Sequence, residues 1–63
     1  MKYLIHICLI TGDIINMDVE YDKEYDLRKD VTIMGNNGVT KKEDNKYVFY
    51  PAHQIMKIVV DEV

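Results

Sequence analysis

Carboxylates stand at every second position of one segment: Asp18, Glu20, Asp22, Glu24 and Asp26, with Tyr21 and Tyr25 among the residues between them. Alternate side chains of an extended strand share a face. A strand through this segment would therefore present all five acids together. Like charges so placed repel one another. The plain use of such a face is solvation, which protects a strand edge from pairing with other chains. A second use is attraction of a basic protein partner, and the face would even imitate nucleic-acid phosphates. Metal binding is a third. A calcium loop beginning at Asp18 requires glycine at its sixth position and glutamate at its twelfth. Lys23 and Lys29 stand there instead, and no metal is expected.

Nucleophilic chemistry has few candidates. Cys8 could pair with His6 or His53. His6 and Cys8 would lie on one face of an apolar strand, where a cysteine more often packs as a small hydrophobe. No glycine-rich phosphate loop opens a helix. Gly35-Asn36-Asn37-Gly38 is the strongest turn signal in the chain and reads as a hairpin, because Asn-Gly takes positive φ readily. Neither enzymatic activity nor a cofactor is expected. Lys41 and Lys42, with Lys46, Tyr47 and Tyr50 nearby, form a basic-aromatic cluster. Stacking on tyrosine plus lysine charge suits a nucleotide or RNA. An exposed polar loop beside core aromatics has the same composition.

The elements that must position these residues read mostly as strands. Leu4–Ile10 is apolar on both faces, so that strand is central or covered by a neighbouring subunit. Thr11-Gly12-Asp13 joins it as a hairpin to Ile14–Tyr21, whose period is two. Val31–Met34 reads as a third strand and Val39–Lys42 as a short returning strand or part of a loop. No helix is expected, because β-branched residues and tyrosines crowd the periodic segments. In YVFYPAHQIMKIVV, residues 47–60, Pro51 cannot donate to a central ladder. Pro51-Ala52-His53-Gln54 has the length of one 3₁₀ turn. The interruption reads as a corner between two strands, with His53 and Gln54 on its rim, where a ligand could meet them.

Length and charge bound the function. With 63 residues there is one domain, residues 1–63. A domain of this size buries only about 60% of its unfolded surface. One cysteine allows no internal disulfide and no Cys/His cluster has zinc spacing. Self-association is the remaining common support. The formal charge of −3 argues against a general nucleic-acid binder, which is usually basic. MKYLIHICLI is far too short to span a bilayer, and no cleavage site follows it. A reduced cytoplasmic setting without a membrane partner is expected.

The order of elements resembles small SH3-like barrels, and among them the Sm-like proteins, including bacterial Hfq. Ile10-Thr11-Gly12 looks like the apolar-x-Gly start of the first Sm motif. Tyr21-Asp22-Lys23-Glu24-Tyr25-Asp26 is similar to its end, with Asp26 in place of Asn. Tyr50-Pro51-Ala52-His53 is similar to the Tyr-Lys-His segment of Hfq, which helps to bind uridine-rich RNA. The resemblance implies a small barrel and ring-like self-assembly.

The expected fold is thus all-β: an SH3-like or Sm-like barrel of about five short strands, with a 3₁₀ turn near residues 51–54. The leading functional expectation is a non-enzymatic, self-associating module of the phage accessory or inhibitor kind. It would engage a basic protein surface through Asp18, Glu20, Asp22, Glu24 and Asp26. One alternative is an Sm-like oligomer that binds RNA or a nucleotide through Lys41, Lys42, Tyr50, His53 and Gln54. Another is a nucleotide sponge with pockets between subunits.

Overall fold

A computed structural model describes residues 1–63. The elements are β1 (Lys2–Leu9), β2 (Ile14–Glu20), α1 (Glu24–Asn37), β3 (Val39–Glu43), β4 (Lys46–Tyr50), a 3₁₀ turn (Ala52–Gln54) and β5 (Ile55–Glu62). The protein is predominantly β. No helix is long and apolar enough to cross a membrane.

Strand β1 organises the rest. Its alternation sends Tyr3, Ile5, Ile7 and Leu9 into the core, and Ile5 and Ile7 are fully enclosed. It is flanked by antiparallel neighbours in the order β2-β1-β5. The β1–β2 hairpin turns through Thr11-Gly12-Asp13 as expected. Gly12 has φ +97°, and the Leu9 N–H donates to the Asp13 carbonyl at 2.9 Å. Ile15 of β2 completes the buried stripe, with Met17 and Val19 half-buried beside it.

The expected third strand at Val31–Met34 is instead part of α1, which corrects the reading of the chain as lacking a helix. Leu27, Val31 and Met34 stand at i, i+4 and i+7, one face of a helix. Leu27 is buried, while Val31 and Met34 pack against the core cluster. Glu24 and Asp26 sit in the first turn, where the helix dipole favours negative charge. Apolar burial of this face outweighs the strand preference of Val31, Thr32 and Ile33.

The expected hairpin at Gly35–Gly38 is also corrected. Gly35, Asn36 and Asn37 belong to the last turn of α1, and Gly38 ends it by donating its N–H to the Met34 carbonyl at 2.9 Å. The chain then enters a second, two-stranded sheet of β3 and β4, paired from Val39↔Tyr50 to Glu43↔Lys46. Asp44 and Asn45 make its turn, with Asp44 at φ +53°. Since α1 replaces the strand that would have bridged β2 to β3, the two sheets are not closed. The expected barrel is not shown. The corner at Pro51 appears as expected: Ala52–Gln54 is a 3₁₀ turn, and the Gln54 N–H donates to the Pro51 carbonyl at 3.0 Å.

The core is small. It consists of Tyr3, Ile5, Ile7, Leu9, Ile15, Leu27 and Val39, ringed by half-buried apolar neighbours. The opposite face of the three-stranded sheet carries Leu4, His6 and Cys8 of β1 among exposed residues of β2 and β5.

Two glycines three residues apart in sequence should respond oppositely to the same change. Nothing lies within 4 Å of a Cβ added to Gly35. Gly35→Ala is therefore expected to stabilise the chain by about 0.5–1 kcal/mol through helix propensity. A Cβ on Gly38 would stand 2.6 Å from the Tyr50 carbonyl oxygen and 3.0 Å from Phe49 Cζ, at φ +94°. Gly38→Ala should destabilise by about 1–3 kcal/mol. Urea midpoints measure both, and changes of the same sign would contradict the helix end at Gly38.

Candidate functional site

The acidic series does not lie on one strand face. β2 ends at Glu20, and the Tyr21 N–H donates to the Met1 carbonyl at 3.0 Å. Asp18 and Glu20 project from the uncovered face of β2, opposite Ile15, Met17 and Val19. Asp22 lies in the bend after the strand, and Glu24 and Asp26 lie in the first turn of α1. All five are exposed, and the one ion pair of the chain, His6–Asp61, involves none of them. The acidic segment bends from strand to helix: Asp18 and Glu20 leave the uncovered face of the sheet, and Glu24 and Asp26 belong to the helix that packs on its other face, so the five do not form a ladder. Tyr21 anchors that bend. Its hydroxyl donates to Asp30 Oδ2 at 2.8 Å, tying the end of β2 to α1. Burial first, and this hydrogen bond second, push the Tyr21 phenol up to about 12.

The basic-aromatic candidates are divided by the pleat of the hairpin. On one face Val39 is buried, and Lys41, Val48 and Tyr50 are half-buried. Tyr50 packs against the core cluster and is not a free stacking surface. Lys42 lies on the other face, opposite Tyr47, with its Nζ 6.0 Å from the ring centroid. Phe49 sits on that same outer face opposite Thr40 and was not among the sequence candidates. Tyr47 is 72% exposed and Phe49 58%. Period-two alternation in Tyr47-Val48-Phe49-Tyr50 carries this signal, once β3 is placed beside β4 and Tyr50 is known to face inward. His53 is exposed in the 3₁₀ turn. The Gln54 carbonyl accepts from the Ile10 N–H at 2.9 Å, so its backbone fastens the corner to the end of β1. The structure thus brings Lys42 to Tyr47 and Phe49, but does not gather Lys41, Lys42, Tyr50, His53 and Gln54 on one face.

The uncovered face of the three-stranded sheet holds a polar group that the sequence reading missed. His6 is flanked by Asn16 on β2, with Nδ1 2.7 Å from Oδ1, and by Asp61 on β5, with Nε2 2.9 Å from Oδ2. Both ring nitrogens can donate only in the imidazolium form. The hydrogen bond to Asn16 first, and that to Asp61 second, raise the His6 pKa above its ordinary 6.5. With both nitrogens so engaged, His6 is not free to serve Cys8 as a base. Asp61 is 55 residues from His6 in sequence, and only the β1–β5 register brings them together.

An open groove of about 680 Å³ runs over the outer face of α1. Glu24, Tyr25, Arg28, Lys29, Thr32 and Ile33 line it.

His6 gives the arrangement a pH dependence of definite sign. A histidine whose pKa is raised by folding contributes stability in full below its unfolded value, and the contribution is lost as pH rises through the folded value. The chain should therefore lose stability as pH rises from below 6.5 through the raised His6 pKa. NMR titration of the His6 ring protons should give a value above 6.5, and Asp61→Asn should lower it. A His6 pKa at or below 6.5 would contradict these contacts.

Comparison with protein-family models, with curated proteins and with solved structures found no match to this chain.

Proposed function

We propose that this chain is a non-enzymatic, self-associating binding module of the phage accessory or inhibitor kind. It engages a basic protein partner through Asp18, Glu20, Asp22, Glu24 and Asp26. One observation carries the reading: all five carboxylates are exposed within the single segment from Asp18 to Asp26, and none is neutralised by an ion pair within the chain. Exposed charges of one sign steer an oppositely charged partner and set its orientation. Glu24 and Asp26 also face the positive end of the helix dipole, so their charge costs the fold little. Asp18 and Glu20 have no such compensation in the helix and stand on an edge strand, where acids also deter wrong pairing.

A second reading has its own support. Lys42, Tyr47 and Phe49 share the outer face of the β3–β4 hairpin, with two rings open to solvent. Bases stack on such rings at about 1–3 kcal/mol each, and lysine meets the phosphate. This reading replaces Tyr50 and His53 by Tyr47 and Phe49 as the stacking residues.

The two readings separate experimentally. The immobilised chain should capture a basic protein from a cell lysate at low salt, and Asp22→Lys with Glu24→Lys should remove most of that capture. Glu62→Lys, outside the segment, should leave it nearly intact. Capture unchanged by the double reversal would sink the acidic site. The chain has no tryptophan, so its tyrosine fluorescence can report stacking directly. Oligouridine should quench that emission only if the second reading holds. Tyr47→Ala or Phe49→Ala should then weaken binding about tenfold or more. An unquenched signal at low salt removes the nucleotide reading.

A further inference from the structure

We infer that two copies of the chain join along the outer edge of β5, antiparallel about Val59, to form a continuous six-stranded sheet. This rests on the self-association in the proposed function and names its surface.

β5 is an open edge of the three-stranded sheet. It runs for eight residues, Ile55–Glu62, without proline. Its ladder is with β1 alone, and none of the nine backbone hydrogen bonds outside the regular elements involves residues 56–62. The outward backbone groups therefore form a template for another strand.

The side chains select the occupant. Lys57, Val59 and Asp61 share the uncovered face, and Lys57 and Asp61 flank Val59 symmetrically. A twofold axis at Val59 places it against the partner's Val59. The same axis sets Lys57 opposite the partner's Asp61, and Asp61 opposite the partner's Lys57. On the core side, Ile58 comes opposite the partner's Val60. Directly opposed residues in antiparallel strands have Cβ atoms about 4.5–5.5 Å apart, within reach of an ion pair. Lys57 has no ion pair within its own chain. Asp61 uses Oδ2 for His6, which leaves Oδ1 for the incoming lysine.

The other edges lack this self-complementarity. β2 carries Asp18 and Glu20 and no cation. β3 has Lys41 and Glu43 placed about Lys42, so self-pairing there would oppose two lysines. β4 has Lys46 as its one charge. Only β5 puts opposite charges on either side of an apolar centre. A second copy is thus the occupant that this edge fits.

Sedimentation equilibrium on the full chain tests the pairing with wild type, Lys57→Asp, Asp61→Lys and the double exchange. Wild type should show twice the 7.4 kDa chain mass at high concentration. Each single reversal sets like charges opposite one another twice per dimer and should raise the dissociation constant about tenfold. The double exchange rebuilds both pairs with sign reversed and should recover most of the loss. Lys57→Asp is the cleaner single variant, because Asp61→Lys also removes the His6 contact. A wild-type chain that stays monomeric would overturn both the edge and self-association. A dimer indifferent to Lys57→Asp would overturn the edge alone, leaving self-association through another surface. A double exchange that dimerises no better than Asp61→Lys alone, which shares its loss of the His6 contact, would overturn the register about Val59.

Discussion

Burial of one face of β1 is the constraint on which the rest of the structure depends. Tyr3, Ile5, Ile7 and Leu9 account for more than half of the seven buried residues. Strands β2 and β5 satisfy the backbone of β1 on both sides. A three-stranded sheet still has two faces, and this apolar stripe must be covered. Leu27 from α1 and Val39 from β3 join the stripe to cover it. The other face of β1 then has to be compatible with exposure, and His6 is held there by Asn16 and Asp61 rather than by apolar packing.

That division also fixes where function can reside. The seven buried residues are all apolar, and the polar and charged candidates lie on surfaces and edges. Each element leaves one. The turn from β2 to α1 leaves exposed acids, the β3–β4 hairpin leaves Tyr47 and Phe49, and β5 leaves an unpaired ladder. These surfaces are distinct, so a partner and a second copy of the chain could be held together. The β5 edge belongs to the sheet, whereas much of the acidic surface belongs to α1 and the turn before it.

Local pattern made much of the fold legible. Alternation in residues 2–9 and 14–20, the turn at Thr11-Gly12-Asp13 and the corner at Pro51 each follow from a short window. The helix is hidden from a short window because Val31-Thr32-Ile33-Met34 has the composition of a strand, and Gly35-Asn36-Asn37-Gly38 that of a hairpin turn. The opposing signals were present: acids at Glu24 and Asp26, apolar residues at 27, 31 and 34, and a glycine where the helix stops. A strand over that segment would straighten the bent acidic stretch into a ladder. It would also supply the extra strand that a barrel needs. The His6–Asp61 contact and the shared face of Lys42, Tyr47 and Phe49 depend on strand pairing and register, which no local window contains.

The helix is therefore the most direct test of the whole account, because it covers β1 and bends the acidic segment. Backbone NMR assignment with Cα secondary shifts over Glu24–Asn37 decides it. The structure requires a continuous run of positive, helical shifts from Glu24 to the end of α1, with a break at Gly38. Negative shifts over Val31–Met34, together with cross-strand contacts from that segment to Val39–Lys42, would contradict it and restore a straight acidic strand in a closed barrel.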